Sequence, residues 1–197
     1  MTNALVGDRF RSSKTKKAHN INNIFWRLKV DFWTSVDTEN LKKLLDKVPN
    51  PMPYNVFRML SLRMTTTAVE LVIFRRFGAK LLVLLTKRPS DDPDWPDMWH
   101  YPGSIIRPDD KSLDEVLERL QQHEIINKFA FWPKFVKVNV SQTMRGTVVQ
   151  LIHFGEIIGI PQKGKYFSVK KLPSGFIKSQ TKGLLLAYNA FTHSKKL

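Results

Sequence analysis

Three polar side chains in the segment "SLDEVLERLQQHEI" have the spacing and the chemistry of a phosphate-binding group. Arg119, Gln122 and His123 stand at i, i+3 and i+4, which places them on one face if the segment is a helix. Arg107 lies in the loop before it. Arginine binds phosphate through charge-assisted hydrogen bonds, and its guanidinium has no lone pair for a metal. We predict that Arg107, Arg119 and His123 hold a phosphate directly; the simpler alternative is that Arg119 only pairs with Glu115, one turn earlier.

Carboxylates are the second group of residues that could do chemistry, because Mg²⁺ prefers oxygen ligands. Those in and beside the segment are Asp109, Asp110, Asp114, Glu115, Glu118 and Glu124, and those in the preceding loop "SDDPDWPD" are Asp91, Asp92, Asp94 and Asp97. They are compatible with a metal site, or with two ordinary features: acids that favour the helix dipole and a solvated turn. No His-rich ligand pattern occurs, so His100 and His153 are predicted to be structural.

The elements that position these residues follow from apolar periodicity. The run "TAVELVIFRRFGAKLLVLLTKRP" predicts a β-hairpin that turns at Phe77-Gly78-Ala79-Lys80. A helix follows, with Ser112 as N-cap and Glu115 completing a capping box; its predicted buried stripe is Leu113, Val116, Leu117 and Leu120. Two further strands come next, and they are followed by the segment "YFSVKKLPSGF" and by a closing helix. This order predicts a mixed α and β domain with one sheet packed against helices.

The region before this domain has a different composition. Residues 1–20 lack an apolar period and predict a flexible basic tail, whose candidate nucleic-acid contacts are Arg9, Arg11, Lys14, Lys16 and Lys17. A targeting peptide is the alternative. Residues 21–60 predict an extension packed on the domain at 61–197, with a short helix capped by Thr38 that buries Leu41, Leu44, Leu45 and Val48. Trp26, Phe32 and Trp33 are expected to dock this extension or, alternatively, to stack on bases.

The charge of the chain points to an anionic partner. The 32 basic and 17 acidic residues leave a net charge of +15, concentrated at the two ends of the chain. This predicts RNA or another polyanion as partner, with a nucleotide and a protein assembly as further possibilities. No apolar run is long enough to span a membrane and no signal peptide is recognisable, so no membrane is expected. The absence of cysteine fits an intracellular protein without resolving the compartment.

From residue 66 to about 193, the order of motifs resembles the Nudix family. An Arg-bearing strand ends "LLVLLTKRP" with Arg88, and an aromatic entrance with Pro-Gly follows at Trp99, Tyr101, Pro102 and Gly103. A loop and helix come next, and then the aromatic strand "YFSVKKLP". The resemblance implies an α/β/α sandwich, here with an N-terminal extension, and ligand-binding roles for Arg88 and Tyr101. It also implies hydrolysis of a nucleoside-linked diphosphate with Mg²⁺ or Mn²⁺.

The family's signature, G-x5-E-x7-R-E-U-x-E-E-x-G-U with U apolar, is degenerate in this chain. Its first Gly and Glu positions fall on Ser104 and Asp110, its Arg position on Glu118, and its late Gly position on Ile125. The three helix glutamates fall on Arg119, Gln122 and His123. A fixed cation at such a position repels a divalent ion by roughly 8 kcal/mol at about 4 Å and an effective dielectric near 20. The usual metal site is therefore expected to be absent, and with it any metal cofactor.

Two functions remain open on these grounds. The first, which we favour, is a non-hydrolytic Nudix-like protein that binds RNA or nucleotide phosphates, including within a ribonucleoprotein assembly. The second is a divergent Nudix hydrolase that uses Mg²⁺ or Mn²⁺, with Asp110 as its candidate catalytic residue. No residue is assigned as a metal ligand under the first function.

Overall fold

The computed structural model describes residues 34–194, so the predictions made for the basic tail and for Trp26, Phe32 and Trp33 lie outside the described residues. The chain divides into two compact units, Met1–Pro53 and Tyr54–Leu197. In the first unit, helix α1 spans Ser35–Leu45. Its N-cap is Thr34, which forms a capping box with Asp37, so the prediction of Thr38 as the cap is wrong by one turn. The apolar residues predicted to be buried, Leu41, Leu44 and Leu45, are exposed.

The second unit is built on one seven-stranded sheet with the order β3-β2-β1-β6-β5. The strands are β1 (Thr66–Phe77), β2 (Lys80–Lys87), β3 (Trp99–His100), β4 (Gly103–Ile105), β5 (Lys134–Thr143), β6 (Gly146–Gly155) and β7 (Lys165–Ser168). Strand β4 pairs with β1, and β7 pairs with β2. β1 and β6 are parallel, while the remaining pairs of named strands are antiparallel.

The predicted hairpin is confirmed. Phe77 pairs with Lys80 across the two-residue turn Gly78-Ala79, and Gly78 has a φ of +56°. Glycine adopts this left-handed conformation without the steric penalty that a side chain would add, and two-residue turns of this kind match the twist of paired strands. The first hairpin of the sheet therefore turns at the residues that the sequence predicts.

Helices cover both faces of the sheet, as an α/β/α sandwich requires. Helix α2 (Tyr54–Ser61) precedes β1, α3 (Leu113–Leu120) follows β4, and α4 (Thr181–Ser194) ends the described chain after a short 3₁₀ turn at Lys178–Gln180. α3 packs on the side of the sheet that presents Val69, Leu71 and Ile73. α4 packs on the opposite side through buried residues that include Leu184, Ala187 and Phe191. Alternation along β1 supplies both cores, because successive strand residues face opposite ways.

Helix α3 begins as predicted but differs from the prediction in two details. Ser112 is its N-cap and accepts a hydrogen bond from the Glu115 N–H at 3.2 Å. The Glu115 carboxylate accepts from the Lys111 N–H, so the predicted capping box is only half formed. Val116, Leu117 and Leu120 are buried, whereas Leu113 at the start of the predicted stripe is 40% exposed.

The C-terminal end of α3 changes into a π-helical turn at Gln121–Ile125. The left-handed residue that ends it is Ile126, with a φ of +68°, rather than the predicted late-glycine position Ile125, which is buried. A π turn closes with i→i+5 bonds and therefore contains one more residue than a regular turn. Residues beyond Leu120 are rotated relative to the predicted helix face, and both Gln122 and His123 are exposed.

Candidate functional site

Arg119 is bound to Asp110. The guanidinium forms an ion pair with the carboxylate, one Nη–Oδ2 distance being 3.0 Å, and also donates to the Ile105 carbonyl at 3.1 Å. The two side chains are 17% and 5% exposed. Hydrogen bonding from Arg119 lowers the pKa of Asp110. The predicted alternative, a pair between Arg119 and Glu115, is therefore wrong, because the partner comes from the preceding loop.

The predicted phosphate-binding cluster is not assembled around Arg119. Its Nη groups are taken by Asp110, Ser104 and Ile105, so its charge is already neutralised by a carboxylate. Arg107 is close, since its backbone N–H donates to Asp110, and its side chain is exposed. His123 contributes its backbone carbonyl, which accepts from Lys163 at 2.7 Å. Because Arg119 faces Asp110, it does not present a free guanidinium to a phosphate.

The aspartate loop is only partly solvated, because Asp92 and Asp94 are buried while Asp91 and Asp97 are exposed. Asp92 pairs with Arg88, and Asp94, whose side chain is fully buried, pairs with Arg58 and Arg145. Burial alone would raise the pKa of Asp94, but hydrogen bonds from Tyr54 and Arg145 bring it below its ordinary value. Asp92 and Asp94 therefore hold arginines in place, whereas the exposed Asp97 pairs with Lys87.

These ion pairs hold the guanidinium groups of Arg88 and Arg145 beside the ring of Trp95. The Arg145 guanidinium lies 4.6 Å from the centre of the Trp95 ring, and that of Arg88 lies 6.0 Å from it. These three side chains line a cavity of about 120 Å³ that also contains Glu70, Gln150 and Gln180. At about 30 Å³ per water molecule, this volume admits one small group rather than a whole nucleotide.

A carboxyl group lies at the floor of this cavity. Gln150 and Gln180 donate to the two oxygens of Glu70 at 3.3 and 3.4 Å, and Gln180 in turn accepts from the Tyr101 N–H at 3.0 Å. Burial raises the pKa of Glu70 to about 8, so the carboxyl is mostly protonated at neutral pH and can donate as well as accept a hydrogen bond. A Cβ at Gly103 would lie 2.6 Å from this carboxyl, which explains the glycine of the Pro-Gly entrance. We refer to this space as the Glu70 cavity.

A second, larger cavity of about 600 Å³ adjoins it. The two share Arg88 and His100, and the second adds basic residues at Lys87, Lys163 and Lys165, with Glu124 and Asp92 as its acids. Its volume falls within the range of about 300 to 1,000 Å³ that is usual for ligand sites. Asp92 is already paired with Arg88, so the net character of this space, the lysine cavity, is cationic.

Tyr101 and His100 have structural positions. Tyr101 is fully buried, its hydroxyl has no hydrogen-bond partner among residues 34–194, and a Cβ at Gly183 would lie 2.3 Å from it. Its ring is therefore packed in the core and unavailable to a ligand, contrary to the predicted binding role. His100 is bonded to Thr86 at 3.1 Å, and burial lowers its pKa to about 4, so it is neutral near pH 7.

Among residues 34–194, no group of three or more His, Asp or Glu side chains is placed to hold a metal ion. None of the helices described is long and apolar enough to cross a membrane.

Sequence reasoning missed Glu70, Gln150, Gln180 and Arg145. One signal was present for Glu70, which is a lone acid within the apolar run of β1. The partners of Glu70 are 80 and 110 residues away in the chain, so no local pattern connects them.

Comparison with protein-family models gives no match, and no curated protein matches the chain. Solved structures do match. The MutT protein from Methanosarcina mazei Go1 has a TM-score of 0.51 and 17% identity, over 68% of this chain and 96% of that one. NrtR from Shewanella oneidensis has a TM-score of 0.50 and 17% identity, over 66% of this chain and 64% of that one. The same protein complexed with a 27mer DNA has a TM-score of 0.50 and 18% identity, over 65% of this chain and 63% of that one.

The match spans slightly less than two thirds of NrtR and nearly all of the MutT protein. Identity this low shows the fold alone. The chain has a Nudix-like fold, as its order of motifs predicts.

Proposed function

We propose that this chain is a non-hydrolytic Nudix-like protein that binds RNA or nucleotide phosphates, a role compatible with membership of a ribonucleoprotein assembly. The observation that carries the proposal is the ion pair between Arg119 and Asp110. Hydrolysis needs a carboxylate at three helix positions, and the first of them holds the cationic Arg119. The guanidinium of Arg119 also pairs with Asp110, the carboxylate of the preceding loop. Hydrolysis of a diphosphate needs hard cations to neutralise charge and activate water, and these residues do not fit such ions.

Binding has independent support in the two cavities. The lysine cavity offers ammonium groups to phosphate, and the Glu70 cavity offers a carboxyl and two amides to a polar, planar group. Because the two cavities share Arg88 and His100, one ligand that spans these residues would contact both. NrtR, 63% of which matches this chain, has been solved in complex with a 27mer DNA.

The alternative is a divergent hydrolase that uses Mg²⁺ or Mn²⁺, for which Asp110 would be the catalytic candidate. We expect no divalent-dependent turnover of nucleoside diphosphate compounds above the buffer rate, measured by phosphate release and by chromatography of the products. Mn²⁺-dependent turnover that disappears in Asp110→Asn but persists in Asp109→Asn, an exposed neighbour, would establish the hydrolase instead.

The basic tail supplies a second test. If Arg9, Arg11, Lys14, Lys16 and Lys17 contact phosphates, deletion of residues 1–20 should weaken RNA binding without altering thermal unfolding. Counterion release of roughly 0.7 per contact on single strands predicts that the slope of log affinity against log salt becomes shallower by about 3.5. Replacing the same five residues by glutamine in the full chain controls for length. An unchanged slope in both variants assigns the tail to another role, such as targeting.

A further inference from the structure

The C-terminal part of the described chain is rich in lysine and contains no acidic residue. Residues 161–194 contain no acid, and Lys163, Lys165, Lys170, Lys171, Lys178 and Lys182 are all exposed. None of these six forms an ion pair within residues 34–194. This charge is therefore available to an external anion.

Three of these lysines can be placed beside the two cavities. Lys163 and Lys165 line the lysine cavity directly. Lys178 lies between Ile177 and Ser179, which both line the Glu70 cavity. Arg88 and Arg145 are paired with aspartates and His100 is neutral, so the uncompensated positive charge near the two cavities comes from these lysines.

A single phosphate group would use only part of this surface. The lysine cavity is about 600 Å³, and Lys178 adds a further cation next to two residues that line the smaller cavity. Successive phosphates of a chain match such a row of separated cations, whereas a mononucleotide concentrates its charge at one point. A base that enters the Glu70 cavity also has to leave the stack and the pairing of a duplex.

We propose that the ligand is a single-stranded nucleic acid, which places one base edge at Glu70, Gln150 and Gln180 and its adjoining phosphates along Lys163, Lys165 and Lys178. This assignment rests on the proposed function and specifies its partner. The strand would then pass from the lysine cavity at β2 and β3 to the Glu70 cavity, which is lined by residues of β1, β4 and β6 and by Arg145 of the β5–β6 turn. Specificity for one nucleotide then comes from the carboxyl and amides, and the lysines contribute affinity that depends on salt.

The test uses the full chain and an end-labelled single strand of about 12 nucleotides, within the usual range for such sites. Fluorescence anisotropy across salt compares wild type with Lys163→Gln/Lys165→Gln. The matched control is Lys134→Gln/Lys137→Gln, two exposed lysines of β5 that remove the same charge at the opposite edge. We expect the slope of log affinity against log salt to become shallower by about 1.4 in the first variant and to stay unchanged in the control.

Two further arms separate this inference from the proposed function. A duplex of the same sequence and a mononucleotide should each compete more weakly than the single strand. If the mononucleotide binds as tightly as the strand, or if both lysine pairs change the slope equally, the strand path is wrong although phosphate binding stands. If neither strand nor mononucleotide binds, the proposed function itself fails.

Discussion

Glu70→Gln should remove this site's contribution to the pH dependence of the domain's unfolding free energy between about pH 4.5 and 8. The variant should also be more stable than wild type at alkaline pH. Burial raises the pKa of Glu70 from 4.5 to about 8. The native state therefore holds a proton that the unfolded chain releases between these values. The protonated carboxyl contributes stability that is fully present below pH 4.5 and is lost as pH rises through about 8. The difference corresponds to at most about 5 kcal/mol.

The two stability curves should cross. Glutamine cannot accept a hydrogen bond on its amide nitrogen, so the variant loses one of the long bonds from Gln150 or Gln180. Below pH 5 it should consequently be less stable than wild type by about 1 kcal/mol. Above pH 8 the wild type contains a buried carboxylate, and the variant should be more stable.

Urea unfolding between pH 4 and 9 measures this directly. Glu118→Gln, on the exposed side of α3, removes the same charge without changing a buried group and should run parallel to wild type. Parallel curves for Glu70→Gln and wild type would show that the Glu70 carboxyl titrates as an exposed group does, and the polar floor of the cavity would have to be reassigned.

Local rules predicted the elements of this fold, because hairpins and helix starts are determined by neighbouring residues. The turn at Gly78-Ala79 and the cap at Ser112 depend on residues within four positions of each other. The same rules predicted the wrong partner for Arg119. Glu115 stands at i−4, but its carboxylate accepts from the Lys111 N–H, and the guanidinium instead pairs with Asp110, nine positions away in the preceding loop.

The aspartate loop shows the same limit at longer range. Asp94 is 36 residues from Arg58 and 51 from Arg145, and these partners are brought to it by α2 and by the β5–β6 turn. Sequence spacing does not indicate such contacts, so it predicts either a solvated loop or a metal site at these aspartates. The π turn after Leu120 was also invisible to the pattern, because one extra residue leaves the apolar period up to Leu120 intact.

Arg119→Glu should destabilise the domain by about 2 to 4 kcal/mol. The change removes the partner of Asp110, whose side chain is only 5% exposed, and places a second carboxylate against it. The Nη bonds to Ser104 and Ile105 are lost as well. Arg119→Gln is the matched control, because it removes the ion pair without adding a like charge, and it should destabilise the domain less.

Divalent cations distinguish the two variants. Two adjacent carboxylates are ligands that Mg²⁺ or Mn²⁺ can bridge, so either ion should raise the unfolding temperature of Arg119→Glu and leave those of wild type and Arg119→Gln unchanged. The triple variant Arg119→Glu, Gln122→Glu, His123→Glu should gain little more, because the π turn rotates positions 122 and 123 away from the predicted face. Calorimetric titration of Mn²⁺ into the four proteins tests this order. Tight Mn²⁺ binding by the triple variant alone would show that the π turn rearranges to rebuild the ligand set. Stability of Arg119→Glu equal to wild type would show that the Arg119–Asp110 pair has no structural role.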